Sequence, residues 1–98
     1  MSVAQQILIG AQTGAATSQP FQLSAADGAC SLVAGGLGAS ETATVQVQDA
    51  GGNWQNVPAA ICAQMTSTTM EAVLNAPGIY RVAKTATAAA VGVVLYRI

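Results

Sequence analysis

The chain has 98 residues, of which 52% are hydrophobic and 7% are charged, and it contains no histidine. Four acidic and three basic residues give a net charge of −1. Because binders of nucleic acids and of anionic membranes carry clustered Lys and Arg, we expect neither partner.

The low charge predicts an assembled protein. A typical soluble domain is about 25% charged. A surface with so few charges is easier to keep in solution when neighbouring subunits cover it, which predicts a homo-oligomer or an assembly subunit. A small monomer with a neutral polar surface is the alternative.

No segment predicts export or membrane insertion. The first ten residues, MSVAQQILIG, lack the basic region of a signal peptide. The longest apolar tract, TATAAAVGVVLY, is shorter than the about 20 residues that a bilayer needs. We therefore expect a protein that is made in the cytoplasm and used without export.

Short strand patterns recur along the chain between Gly, Pro, Asn and Asp residues, and no long window has helical periodicity. The pattern predicts an all-β fold, an antiparallel β-sandwich or a jelly-roll-like small barrel, as a single domain of residues 1–98. Residues 1–10 are a candidate N-terminal arm, in which Ile7 and Ile9 would contact a neighbouring subunit or a larger assembly. The predicted strands are Gln5–Ile9, Pro20–Ser24, Ala29–Val33, Thr42–Asp49, Asn53–Val57, Ala63–Ser67, Thr69–Asn75, Gly78–Lys84 and Ala90–Arg97.

The clearest hairpin lies in VQVQDAGGNWQNVP, where apolar and polar residues alternate before a glycine turn. Gly51 and Gly52 are predicted to supply the positive φ of a tight turn, and Asp49 is predicted to serve that turn. Trp54 then begins the return strand. It has three candidate roles: capping the core, which we favour, anchoring a protein interface, or stacking on a sugar.

A second pair of strands follows the sequence NAPGIYRVAK. Its Pro77–Gly78 pair predicts a type II turn. Tyr80 is predicted to share one face of the strand with Val82, while Arg81 lies on the other face. The last strand, AVGVVLYRI, is apolar on both faces, which is typical of a central strand or of a strand whose outer face another subunit covers.

The sequence offers little for catalysis. Without histidine, the commonest general base and metal ligand is absent, and we expect no enzyme, no cofactor and no metal. Cys30 and Cys62 are predicted to be buried free thiols in preference to a disulfide. The four carboxylates have no evident catalytic pairing; they are Asp27, Glu41, Asp49 and Glu71.

The basic residues leave several interpretations open. Arg81 and Arg97 lie on strands that can be neighbours, where they would bind an anionic ligand, reach acidic groups of a partner protein, or be solvated. The sequence thus gives a set of candidate interface residues, which are Ile7, Ile9, Trp54, Arg81 and Arg97.

Three segments, VQVQDAGGNWQNV, MTSTTMEAVL and NAPGIYRVAKTATAAAVGVVL, together resemble small virion structural proteins of tailed bacteriophages. In that family a D-G-G-x-W hairpin precedes an aPG-x-YR-v-k turn and strand and an a-a-VGV final strand. The similarity covers Val45 to Leu95, and the D-G-G turn appears here as D-A-G-G, one residue longer.

The resemblance implies a capsid decoration (cement) protein. Such a protein would be made in the host cytoplasm, bind between major capsid subunits on the capsid surface of the virion, and stabilise the shell as a homo-oligomer, with a trimer favoured. The alternative is a head-fibre or tail accessory protein that contacts the host surface or a glycan.

Overall fold

The computed structural model describes residues 4–24 and 28–97. Asp27, one of the four carboxylates of the chain, and Ile98 lie outside the described residues. The fold is all-β and antiparallel, as predicted. Its strands are β1 (Ala4–Gln12), β2 (Ala16–Thr17), β3 (Phe21–Leu23), β4 (Cys30–Val33), β5 (Ala43–Gln48), β6 (Trp54–Asn56), β7 (Glu71–Leu74), β8 (Gly78–Lys84) and β9 (Val91–Arg97).

The strands form two sheets. The first sheet has the order β1-β9-β4-β7, and the second has the order β2-β8-β5-β6, with β3 also paired to β8. The core lies between them and is filled by the inward residues of each alternating strand, as expected for a sandwich. Its largest fully buried side chains are Leu32, Val45, Met65, Leu74, Val82, Val91, Val93 and Leu95.

The strand β1 corrects the prediction of an N-terminal arm for residues 4–10. These residues pair with β9 of the same chain, in a register that runs from Ala4 opposite Arg97 to Gln12 opposite Val91. The register shifts on both sides of Ile9, so β1 bulges at the edge of the sheet. Residues 1–3 of the predicted arm lie outside the described residues.

Two other strand predictions differ from the structure. The predicted strand Ala63–Ser67 is irregular, and only Met65 forms a bridge, with Ala43. This segment crosses from the edge of the second sheet to the edge of the first, so Met65 is buried by closing the side of the sandwich. The two-residue strand Ala16–Thr17 was not predicted because so short a strand has no readable alternation.

The turn before β8 is built around Tyr80. Its hydroxyl donates a 2.8 Å hydrogen bond to the carbonyl of Ala76, four residues upstream, in the manner of a tyrosine corner. Gly78 does not have the positive φ of the predicted type II turn. A Cβ at Gly78 would lie 3.1 Å from the Tyr80 ring, so the glycine serves to let the ring fold back on its own chain.

The β5–β6 turn follows the prediction in part. The Asp49 carboxylate accepts hydrogen bonds from the backbone N–H groups of Gly51 (2.9 Å) and Asn53 (3.0 Å), as expected for an Asp that serves a turn. Gly52 has a φ of +84°, but Gly51 does not have a positive φ. One left-handed residue closes this turn, because the extra Ala50 lengthens the loop.

Lys84 is buried, with only 3% of its surface exposed. Its Nζ donates to the carbonyl oxygens of Gly14 (2.8 Å) and Thr85 (3.1 Å) and to the hydroxyl of Thr87 (3.3 Å). These partners belong to the β1–β2 and β8–β9 connections, so one ammonium group holds two loops at the same end of the sandwich. A buried charge requires such partners.

Candidate functional site on the outer faces of the sandwich

The five candidate interface residues do not form one surface. Ile7 is 66% exposed on the outer face of the first sheet, whereas Ile9 is 4% exposed and belongs to the core of this chain. Trp54 and Arg81 lie together on the outer face of the second sheet. Arg97 ends β9 in the first sheet and donates to the carbonyl oxygen of Gln22, whereas Arg81 lies on β8 in the second sheet, so the two arginines do not form a shared site for an anionic ligand, which was one of the interpretations left open.

The outer face of the first sheet carries four aliphatic side chains among its eight paired outward residues. We call it the aliphatic face, and the strand registers define it as two rows across the four strands: Ile7, Val94, Val33 and Glu71, then Gln5, Tyr96, Ser31 and Val73. The two apolar side chains of this face that are most exposed, Ile7 and Val73 (53% exposed), stand at opposite edges of the sheet. The face thus presents apolar groups to solvent across its whole width.

A shallow groove of about 610 Å³ lies at one end of the aliphatic face. It opens between β4, β7 and the end of β9, and its lining is Ala29, Cys30, Ser31, Glu71, Val73, Tyr96 and Arg97. The Tyr96 hydroxyl at its wall accepts a 3.1 Å hydrogen bond from Gln5 Nε2. The groove therefore extends the aliphatic face toward one end of the sandwich.

The outer face of the second sheet is polar. We call it the amide face; its outward residues on β5, β6 and β8 are Thr44, Gln46, Gln48, Trp54, Asn56, Ile79, Arg81 and Ala83. A hydrogen-bonded row crosses three strands on it. Arg81 Nε donates to Gln46 Oε1 at 2.8 Å, and Gln46 Nε2 donates to Asn56 Oδ1 at 3.0 Å.

Trp54 does not cap the core, which corrects the favoured interpretation of this residue. It is partly exposed, and the Arg81 guanidinium carbon lies 4.5 Å from the centroid of its ring. The sequence placed Trp54 and Arg81 in the two motifs of the resemblance, and the fold brings these motifs into contact because β5 pairs with both β6 and β8. The contact is a cation–π interaction.

The remaining ionisable groups have local structural roles. Hydrogen bonds from the backbone N–H groups of Gly38 and then Ala88 lower the pKa of Glu41. Hydrogen bonds from the Asn53 backbone and then the Gln55 side chain lower the pKa of Asp49. Both carboxylates are thereby held ionised by the loops that they fasten.

Both cysteines are buried thiols, as predicted. Burial raises the pKa of the Cys62 thiol, and the nearby Cys30 raises it further. A thiol with a raised pKa is a poor nucleophile. Within residues 4–24 and 28–97, no group of three or more His, Cys, Asp or Glu residues is placed to hold a metal ion, and no helix is long and apolar enough to cross a membrane.

Sequence reasoning missed Val73, Gln46 and Asn56 as surface-forming residues. The alternation in EAVL places Val73 on the same face as Glu71, which was a readable signal. The pairing of Gln46 with Asn56 had no signal, because it depends on the register of the hairpin.

Comparison with known proteins gives a likeness in fold. No protein-family model matches the chain, and no curated protein is significantly similar to it in sequence. The crystal structure of the SPBc2 prophage-derived protein YomS is similar, with a TM-score of 0.72 and an alignment that covers 98% of this chain and 92% of that chain. The two sequences are 10% identical, so the chain shares the fold of this prophage-derived protein.

Proposed function

We propose that the chain is a virion structural protein of a tailed phage, a capsid decoration protein that docks its aliphatic face between major capsid subunits. The observation that carries the proposal is the contrast between the two outer faces. The amide face joins Arg81, Gln46 and Asn56 in a row of hydrogen bonds, whereas the aliphatic face leaves Ile7 and Val73 more than half exposed. An exposed apolar patch of this kind marks an interaction surface.

The size of the aliphatic face favours binding through several copies. Four strands about 4.8 Å apart, with two rows of outward side chains, cover roughly 300 Å². A standard protein interface buries about 800 Å² on each partner. One copy would therefore bind weakly, and a homo-oligomer, with a trimer favoured on a local threefold axis, would hold several faces on the lattice at once.

The stabilising effect would follow from mass action. A protein that binds the assembled shell and not its free subunits shifts the equilibrium toward the shell. In this proposal the chain acts by contact alone, without catalysis, nucleic acid or membrane, at the capsid surface of a virion assembled in the host cytoplasm. The fold likeness to a prophage-derived protein supports a phage origin.

The first experiment is the copy number of the chain in purified virions, by quantitative mass spectrometry. We expect a number comparable to that of the major capsid protein. Absence from virions would refute a virion role, and a number that fits one ring or one set of fibres would refute decoration.

The second experiment locates the docking surface with capsids that lack this chain. Ile7→Lys and Val73→Lys, placed at opposite edges of the aliphatic face, should each abolish binding. Ile79→Lys, at a 36% exposed position on the amide face, is the matched control and should bind as the wild type does. Loss of binding only in Ile79→Lys would move the docking surface to the second sheet.

A head-fibre or tail accessory protein that contacts the host surface is the second candidate. The partly exposed Trp54–Arg81 pair favours it, because Trp and Arg are enriched in binding hot spots. Tyr80 is buried, so Trp54 is the aromatic side chain that the amide face presents. A low copy number in virions would favour this candidate over decoration.

A further inference from the structure

We propose that the amide face carries a binding site for the carboxylate groups of an acidic polysaccharide, with Arg81 as the anchor and Trp54, Gln46 and Asn56 as its supports. The site lies on the sheet opposite to the aliphatic face, so it leaves that face free to dock. The inference does not depend on decoration, and it can be tested on the isolated chain.

The Arg81 guanidinium is held in place before any ligand binds. Its Nε donates a hydrogen bond to Gln46 Oε1, and its Cζ lies over the Trp54 ring, 4.5 Å from the ring centroid. A flexible arginine loses side-chain entropy when it binds, whereas a planar fork that is already fixed loses less. The two contacts therefore favour a ligand whose shape matches the fixed guanidinium group. A carboxylate matches it, because it can accept two parallel hydrogen bonds from the guanidinium N–H groups.

The charge of Arg81 is not neutralised by the described part of the chain. Its contacts there are Gln46 and Trp54, and neither is acidic. Glu41 accepts from Gly38 and Ala88. The Asp49 carboxylate is occupied by its own turn, and the ammonium group of Lys84 is buried at one end of the sandwich.

The hydrogen-bonded row leaves donors facing outward. Gln46 uses its oxygen for Arg81 and its nitrogen for Asn56, and Asn56 uses its oxygen for Gln46. The groups that have no partner in this row are the Nη1 and Nη2 groups of Arg81 and the Nδ2 group of Asn56, all of which donate. A surface that has more hydrogen-bond donors than acceptors beside a positive charge favours the binding of an oxyanion.

The surroundings of Arg81 favour a polysaccharide over an acidic protein. The outward side chains that flank Gln46 on β5, Thr44 and Gln48, are an uncharged hydroxyl and an uncharged amide, which match the hydroxyl groups of sugars. The centre of a protein interface is usually apolar. On this molecule the broad apolar surface is on the other sheet, and the amide face is a long, open strand surface along which an extended chain can lie.

The test measures binding of the purified chain to polygalacturonate, alginate and polysialic acid by calorimetry at low salt. We expect binding to at least one of these polymers and loss of that binding as salt is raised, because the contact is ionic. For an ester-forming polymer such as polygalacturonate, the fully methyl-esterified form should not bind. Binding to none of the three polymers, or equal binding of the ester, overturns the proposal.

Matched variants assign the binding to Arg81. Arg81→Gln should weaken it at least about tenfold, while Arg97→Gln, which changes the net charge equally, should leave it unchanged. Arg81→Lys keeps the charge and removes the planar fork, so it should be intermediate, and it serves as the second variant if Arg81→Gln fails to fold. Equal losses in Arg81→Gln and Arg97→Gln would indicate net charge alone and refute the site.

Poly-L-glutamate separates the two sources of carboxylate. It offers the same group on a peptide backbone, and we expect it to bind more weakly than the best polysaccharide. If it binds as tightly, the site recognises an acidic protein segment, and the polysaccharide assignment is wrong.

Discussion

Gly92 offers the sharpest test of how the first sheet is assembled. It lies in β9, and a Cβ at this position would come within 2.6 Å of the Ile9 carbonyl oxygen and 2.9 Å of the Ala11 nitrogen. Both are backbone atoms of β1, at the place where that strand bulges. To reach an ordinary contact distance of 3.4 Å from the new Cβ, the Ile9 carbonyl oxygen must move by about 0.8 Å. This movement displaces β1 from β9.

Two opposing effects decide whether Gly92→Ala raises or lowers the free energy of unfolding. Replacing glycine by alanine restricts the unfolded chain and stabilises by about 0.4–1 kcal/mol where the native conformation accepts it. Overpacking against backbone costs about 1–3 kcal/mol. The clash is larger, so we expect a net loss of about 1–2 kcal/mol in the free energy of unfolding.

Gly10→Ala is the matched control. Gly10 lies in β1, the strand that Gly92 touches, and a Cβ there would have no atom within 4 Å. We expect this variant to be as stable as the wild type or more stable, by up to about 1 kcal/mol.

Urea unfolding of both variants can be followed by the fluorescence of Trp54, the single tryptophan, which lies on the other sheet. The Gly92→Ala midpoint should fall with an unchanged slope. A Gly92→Ala protein as stable as Gly10→Ala would refute the argument that β1 and β9 approach too closely for a side chain.

Three further predictions concern the buried and ionisable groups. Lys84→Met should lower the free energy of unfolding by about 2–4 kcal/mol, because two carbonyls and a hydroxyl lose a charged donor; unchanged stability in urea would contradict this role. The lowered pKa values of Glu41 and Asp49 mean that the folded chain releases these protons more readily than the unfolded chain. The contribution of these two carboxylates to the free energy of unfolding should therefore be complete above the ordinary carboxyl pKa and be lost as the pH falls through the lowered values. In the double variant Glu41→Gln, Asp49→Asn, the urea midpoint should accordingly depend less on pH in that acid range. Cys30 and Cys62 should react with a thiol reagent roughly a hundredfold or more slowly than in urea, since only opened molecules expose them; fast reaction of the folded chain would show that they are accessible.

The motifs of the resemblance are now largely explained by local physics. Asp49 holds a turn, Gly78 gives space to the Tyr80 ring, and Gly92 lets β1 approach β9. Each of these roles is structural, so the motifs by themselves argue for a fold and not for a ligand. The exception is the contact between Trp54 and Arg81, which lies on the surface and contributes nothing to the core.

Some expectations failed because a side chain's environment depends on the neighbouring strand. Lys84 carries a charge at the end of β8, yet it is buried because the β8–β9 and β1–β2 connections fold over that end of the strand. Ile7 and Ile9 are separated by one residue and were given one role, but a bulge in β1 helps to place one in solvent and the other in the core. Capping of the core was the favoured of three roles for Trp54, whereas the register of its hairpin turns this residue outward.

Local patterns in the chain were enough to predict the all-β class, the alternation of β5, β8 and β9 and the Asp49 turn, because period-two patterning and turn chemistry act between residues close in the chain. The folded arrangement of the strands was needed to show that two rows of outward residues from four strands form one face and that Trp54 meets Arg81 on the other. These arrangements depend on strand order and register, which join residues from Gln5 to Arg97 that no local pattern links.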